Sequence, residues 1–204
     1  ENWLCNLPGS ASKVCVEFLF NSYYKSFFTN KNQMIATVRA GNVIGGGDYS
    51  QDRLVPDIFK SAEKNKKLYL RNPDSVRPWQ HVLEPLSGYL LLAQNIHSSK
   101  IKRLKQNWNF GPNISSCKSV RYLADYLNKY LKLNLVKRKK IKNIFNPETS
   151  ILRLSNHKSK KFLYWKPKWS INNSLDKIIY WQKKTSKEGA YNVCLKQINE
   201  YLES

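Results

Sequence analysis

Apolar positions recur at helical spacing between Ala11 and Phe28, where Val14, Cys15, Phe18, Leu19 and Tyr23 fall mostly three and four residues apart, with Ser10 or Ser12 as a cap. The pattern predicts a helix with one apolar stripe. Met34 to Arg39 is a short apolar, β-branched run between polar turn residues and predicts a strand; the glycine-dense GNVIGGGDYSQDR that follows fits neither period and predicts a loop. Helices are expected at Val55–Lys64, Val82–Ile96 and Ser119–Leu131, and strands at Leu68–Leu70, Trp108–Phe110 and Ile151–Leu154. A last amphipathic helix runs through Leu175, Ile178, Ile179 and Trp181. Such alternation argues for an α/β architecture, with parallel strands wherever a helix makes the crossover.

The composition sets limits on this picture. In 204 residues, 41% hydrophobic and 13% aromatic content suffices for one ordinary core and excludes a disordered chain. Lys and Arg number 35 against 14 acidic residues, a net charge of +21, which suits phosphate-bearing partners without separating nucleic acid from nucleotide. The densest cluster, Lys137 to Lys140 with Lys142, has no nucleic-acid module beside it, so a solvated charged face is preferred and nucleic-acid binding ranks last. Cysteines 5, 15, 117 and 194 lack metal-site spacing and are too sparse for a disulfide scaffold, so reduced thiols in a cytoplasm and no bound metal are expected. No apolar run approaches the roughly 20 residues that span a bilayer.

Three stretches invite chemistry. Gly45 and Gly47 give the first two glycines of a dinucleotide-binding loop, but Ser50 stands at the third position, and a structured turn carrying Asn42 and Arg53 toward a ligand is the better reading. Ser10 and Lys13 match a serine–lysine acyl-transfer motif whose other elements are missing, and that reading is rejected. The segment Arg71 to His81 holds two guanidiniums and an imidazole; the planar donor fork of Arg77 suits a diphosphate, although an ion pair would explain it equally well. His81 alone more often serves as a structural hydrogen-bonder.

The stretches VRAGNVIGGGDYSQDRLVPDIF, LRNPDSVRPWQHVLEPLSGYLLLA and WNFGP, with ETSILRLSNHKSKKFLYWKPKW further on, resemble the C-terminal half of the CDP-glucose 4,6-dehydratases, extended members of the short-chain dehydrogenase/reductase superfamily. The resemblance implies the last parallel strands and helices of a Rossmann-like fold plus a small substrate-binding subdomain. Residues 10–45 would be the remnant of the Rossmann portion and 46–204 mainly the sugar-nucleotide-binding portion, with the N-terminal NAD-binding half absent. It implies a lyase that converts CDP-glucose to CDP-4-keto-6-deoxyglucose for deoxysugar and surface-polysaccharide synthesis, with NAD as cofactor, commonly as a homodimer.

Carried over by motif, Asn42, Arg53, Leu54, Arg77 and Asn109 would meet the sugar nucleotide, with His81 a weaker candidate. Lys13 would take the place of the lysine that lowers the catalytic tyrosine's pKa and holds the nicotinamide ribose. The family's Tyr-x-x-x-Lys departs here, since Gly9 stands where the tyrosine belongs and has no proton to exchange. Together with an opening at Glu1 rather than Met, this implies a fragment or divergent form that is inactive alone. The alternatives are a non-catalytic sugar-nucleotide-binding or scaffold subunit, completed by a separately encoded Rossmann half, and a basic nucleic-acid-binding protein.

Overall fold

The structure, a computed structural model, describes residues 8–28, 35–98, 107–131, 135–137 and 149–204. Strand β1 (Thr37–Ala40) pairs in parallel with β5 (Asn107–Phe110), Thr37 opposite Asn107. The chain then passes through Gly41 into β2 (Asn42–Ile44), which leaves that pair and runs parallel to β4 (Val76–His81), Asn42 opposite Trp79. A Cβ at Gly41 would stand 2.4 Å from the Pro78 carbonyl oxygen, so the crossing between sheets requires a residue without a side chain. On its other edge β4 takes β6 (Cys117–Ser119) in antiparallel pairing, and β3 (Leu68–Leu70) pairs in parallel with β7 (Leu135–Lys137).

Seven helices complete the described residues: α1 (Pro8–Tyr23), α2 (Leu54–Glu63), α3 (Leu83–His97), α4 (Val120–Leu131), α5 (His157–Leu163), α6 (Ile171–Glu188) and α7 (Ala190–Glu203). The bounds of α2, β3, α3, β5 and α4 agree with the periodicity to within a residue or two, because each carries its own apolar pattern and its own turn residues. The α/β class with parallel strands is the architecture the alternation implied. A π-helical turn at Tyr24–Phe28 extends α1.

Two apolar cores result. In the first, Ile58 of α2, Leu123 and Leu127 of α4 and Leu175 of α6 are buried with Ile44 and Trp79. In the second, Trp108 and Phe110 of β5 meet Leu92, Leu163 and Trp165. Each such side chain contributes roughly 1.5–3 kcal/mol by leaving water. Gln80 ties the two together, its Nε2 donating to the Phe110 carbonyl oxygen at 2.8 Å.

Glu84, in the first turn of α3, is fully buried and fixes the C-terminal third of the chain. Its carboxylate accepts the backbone N–H of Lys168 at 3.0 Å, that of Trp169 at 2.6 Å and the Tyr201 hydroxyl at 2.9 Å. Lys168 Nζ in turn donates to the Tyr201 carbonyl oxygen at 2.8 Å. Burial raises the Glu84 pKa, and these donors oppose that rise.

Elsewhere the structure departs from the expectations. Ile151–Leu154 is not a strand; Ile151 makes a single parallel bridge to Val76. β6 takes one edge of β4 over Val76–Pro78 and β2 the other from Trp79 onward, and the rung after Val76 would need an N–H that Pro78 lacks, so Ile151 pairs only once. The six residues of β4 itself, for which the sequence pattern predicted no element, form the strand between β2 and β6. The apolar stripe of α1 faces outward, with Phe18 71% and Leu19 60% exposed. The helix is held instead through buried Glu17, which accepts from Thr37 Oγ1 at 3.1 Å and from Asn107 Nδ2 and pairs with Arg39 at 2.5 Å. Arg138, Lys139, Lys140 and Lys142 of the basic cluster lie outside the described residues, and of Lys137 only the backbone is described.

Candidate functional site

The elements around the Gly41 crossing enclose a cleft of about 890 Å³. Lys13 of α1, Asn42 of β2, Arg53 and Leu54 at the start of α2 and Arg77 of β4 all line it. Five of the residues named from sequence therefore converge from four elements separated along the chain. Trp79 forms part of the wall, its indole Nε1 anchored to the Lys118 carbonyl oxygen at 2.9 Å. Arg77 is held by its Nη1, which donates to the Val76 carbonyl oxygen at 2.9 Å and the Thr149 carbonyl oxygen at 2.8 Å. These bonds orient a guanidinium at the wall of a polar cleft, the arrangement that suits a dianionic phosphate group.

The loop between β2 and α2 is shaped by packing and by a local turn. A Cβ at Gly46 would lie 2.2 Å from Trp181 Cγ, so the glycine lets the backbone rest on the indole. Asp48 accepts the Ser50 N–H at 2.9 Å, and hydrogen bonds from Ser50 hold its carboxyl below the usual range, more than burial raises it. Asp52, at φ 58°, takes the left-handed conformation that delivers the chain to Arg53 and the start of α2.

His81 and Asn109 do not line the cleft. His81 is 1% exposed, accepts the Leu83 N–H on Nδ1 at 3.3 Å, and lies edge-on to Trp169 with ring centroids 4.9 Å apart. Its Nε2 has no hydrogen-bond partner among the described residues, and burial, helped by the Lys177 cation, holds its pKa down to about 4, so it is neutral at pH 7. Asn109 sits half-buried on β5, where its carbonyl oxygen accepts the Ser159 hydroxyl at 2.8 Å. Sequence reasoning missed Asp57 and did not single out Arg71, both of which line the cleft. Asp57 follows Leu54 by three residues on α2, a spacing that puts both on one side of the helix and could have disclosed it.

The described residues do not fit a whole dinucleotide. Lys13 stands at the cleft, one helical turn beyond Gly9, but in the densest glycine run Gly46 and Gly47 pack on Trp181 and Gly45 on Val82 rather than forming a phosphate cradle at a helix start. Among the described residues no group of His, Cys, Asp and Glu could hold a metal ion, and no helix is long and apolar enough to cross a membrane.

Comparison with known proteins gives this fold its class. The chain shares the α/β fold of about half the length of Rossmann-like proteins of the extended short-chain dehydrogenase/reductase type. It superposes on dTDP-glucose 4,6-dehydratase from Bacillus anthracis, solved in complex with NAD, with a TM-score of 0.69 and 20% identity, covering 92% of this chain and 55% of that one. Against UDP-glucose 4-epimerase from Thermotoga maritima, solved with UDP-glucose, the TM-score is 0.67 and the identity 17%, covering 87% and 54%.

In sequence the chain is 38% identical to CDP-glucose 4,6-dehydratase from Salmonella typhimurium, over 96% of its own length and 55% of that protein's. It thus spans about half the length of the relatives it matches. No protein-family model matches it.

Proposed function

We propose that this chain binds CDP-glucose in the cleft, as the sugar-nucleotide-binding half of a 4,6-dehydratase, and that alone it does not dehydrate the sugar. The convergence of Arg77, Arg53, Asn42, Leu54 and Lys13 on one cleft is the observation that carries this reading. In it Arg77 takes the diphosphate, Arg53 and Leu54 line the nucleotide site, and Asn42 hydrogen-bonds the sugar nucleotide. Asn109 and His81, outside the cleft lining, are given no contact with substrate. Lys13 would hold the nicotinamide ribose of NAD in an assembly that supplies the rest of the dinucleotide site. Gly9 supplies no hydroxyl for the proton transfer that oxidation at the sugar C4 requires, which supports inactivity of the chain by itself.

The exposed apolar stripe of α1 supports association, either as a homodimer or with a separately encoded Rossmann half. Free thiols at Cys15, Cys117 and Cys194 fit a reducing cytoplasm. We retain the division into a Rossmann remnant at 10–45 and a sugar-nucleotide portion at 46–204 as part of the proposal. Thermal unfolding with added ligand tests it. CDP-glucose is expected to raise the melting temperature more than CMP or glucose does, and Arg77→Ala to remove that rise; equal shifts from unrelated nucleotides would refute the reading.

A further inference from the structure

We propose that Asp57 and Arg71 read the nucleobase and select cytosine over uracil. The inference rests on the sugar-nucleotide reading above and assigns it a base. Helix α2 carries the chain away from Arg53, residues 64–67 reverse it, and β3 returns along the helix. Arg71, just past the end of β3, therefore comes back beside the first turn of α2, where Asp57 sits. Both line the cleft, with Leu54 and Leu70 supplying apolar wall next to them.

The two side chains are unspent. Asp57 is half-buried, and its carboxylate has neither a hydrogen bond nor an ion pair with any described residue; the same holds for the Arg71 guanidinium. They lie near enough for the cation to act on the carboxylate without closing into a pair. Burial and the neighbouring Asp52 raise the Asp57 pKa, while Arg71 and Lys60 oppose that rise. An acceptor and a donor that no protein group engages stand side by side on the cleft wall, and a ligand edge with the reverse pattern would satisfy both in place of water.

Cytosine has that edge. Its N4 amino group donates to a carboxylate, and its N3 and O2 accept from a guanidinium. Uracil presents O4 to the carboxylate and N3–H to the guanidinium, so acceptor meets acceptor and donor meets donor. Arg77 and Lys13, the cations that other elements bring to the cleft, serve parts of the ligand that CDP and UDP share.

Calorimetric titration of the whole chain with CDP and with UDP tests the proposal. Wild type is expected to bind CDP at least about tenfold tighter. Asp57→Asn, whose amide can turn a donor toward O4, should bring the ratio close to one, and Arg77→Ala should weaken both nucleotides alike. Should Asp57→Asn lower the melting temperature, Arg71→Gln at its exposed position gives the same comparison. Equal wild-type affinities that still depend on Arg77, or an unchanged preference in Asp57→Asn and Arg71→Gln, would overturn the base reading and leave the sugar-nucleotide reading standing. Failure of wild type to bind either nucleotide would overturn both.

Discussion

The two ends of the chain are both helical and both carry apolar stripes, yet they are secured in opposite ways. At the C-terminal end, α6 and α7 bury theirs: Leu175, Ile178 and Val193 are at most 2% exposed, and Glu84 gathers the backbone of Lys168 and Trp169 with the Tyr201 hydroxyl. At the N-terminal end, α1 attaches through the buried carboxylate of Glu17 and leaves Phe18 and Leu19 in water. Amphipathic periodicity establishes that a helix forms; what its apolar face meets is decided elsewhere in the chain. The cleft lies between these regimes, drawing Lys13 from the loosely held helix and Arg77 from the strand beside the clamped end.

The largest effect should come from cutting the clamp. Glu84→Ala removes the acceptor of the buried Trp169 N–H and the part-buried Lys168 N–H and leaves the Tyr201 hydroxyl only Ser87 Oγ, and is expected to cost about 3 kcal/mol in urea unfolding. A loss below about 1 kcal/mol would show that the C-terminal segment is secured by apolar packing alone.

Acid should act next, through His81. Its folded pKa, near 4, lies below the unfolded value of 6.5, so the unfolded chain takes up the proton first. The stability this contributes is complete above pH 6.5 and is lost as the pH falls toward 4, up to about 3 kcal/mol. Glu84, whose pKa is raised, works with the opposite sign: its contribution is complete below its unfolded pKa and is lost as the pH rises through the folded value. The difference between wild type and His81→Gln isolates the histidine, and parallel stability–pH curves for the two would contradict its assignment as a buried neutral group.

The smallest effect is expected at the other end. Replacing Phe18 and Leu19 together by Ser should change the monomer's unfolding free energy by no more than about 0.5 kcal/mol, since both are already solvated. Sedimentation should report less self-association in this variant. A loss of several kcal/mol in the monomer would mean that the stripe of α1 is core after all.

What could be read from sequence follows the same division between local and distant causes. Helix α2, strand β3 and helix α4 declare themselves because pattern and turn residues lie within each segment. Strand β4 does not, since Pro78 lacks an N–H and the segment is defined by neighbours at β2 and β6. Glycine density at 45–47 resembles a phosphate loop locally, and Trp181 and Val82, supplied from elsewhere in the chain, show it to be a packing device. Arg77 and Arg53 were legible through their motifs and their chemistry. Asp57 offered only its spacing from Leu54, since Arg71, which lines the same cleft, reaches it through the return of β3. Glu84 reads as one acid in an apolar helix until residues 168, 169 and 201 supply its donors.

Where a diphosphate sits on this fold would be shown by a crystal structure of the whole chain soaked with CDP-glucose. Pyrophosphate density is expected within hydrogen-bond reach of the Arg77 guanidinium, between the start of α2 and β4. Density elsewhere on the surface, with that guanidinium touching only protein, would contradict it.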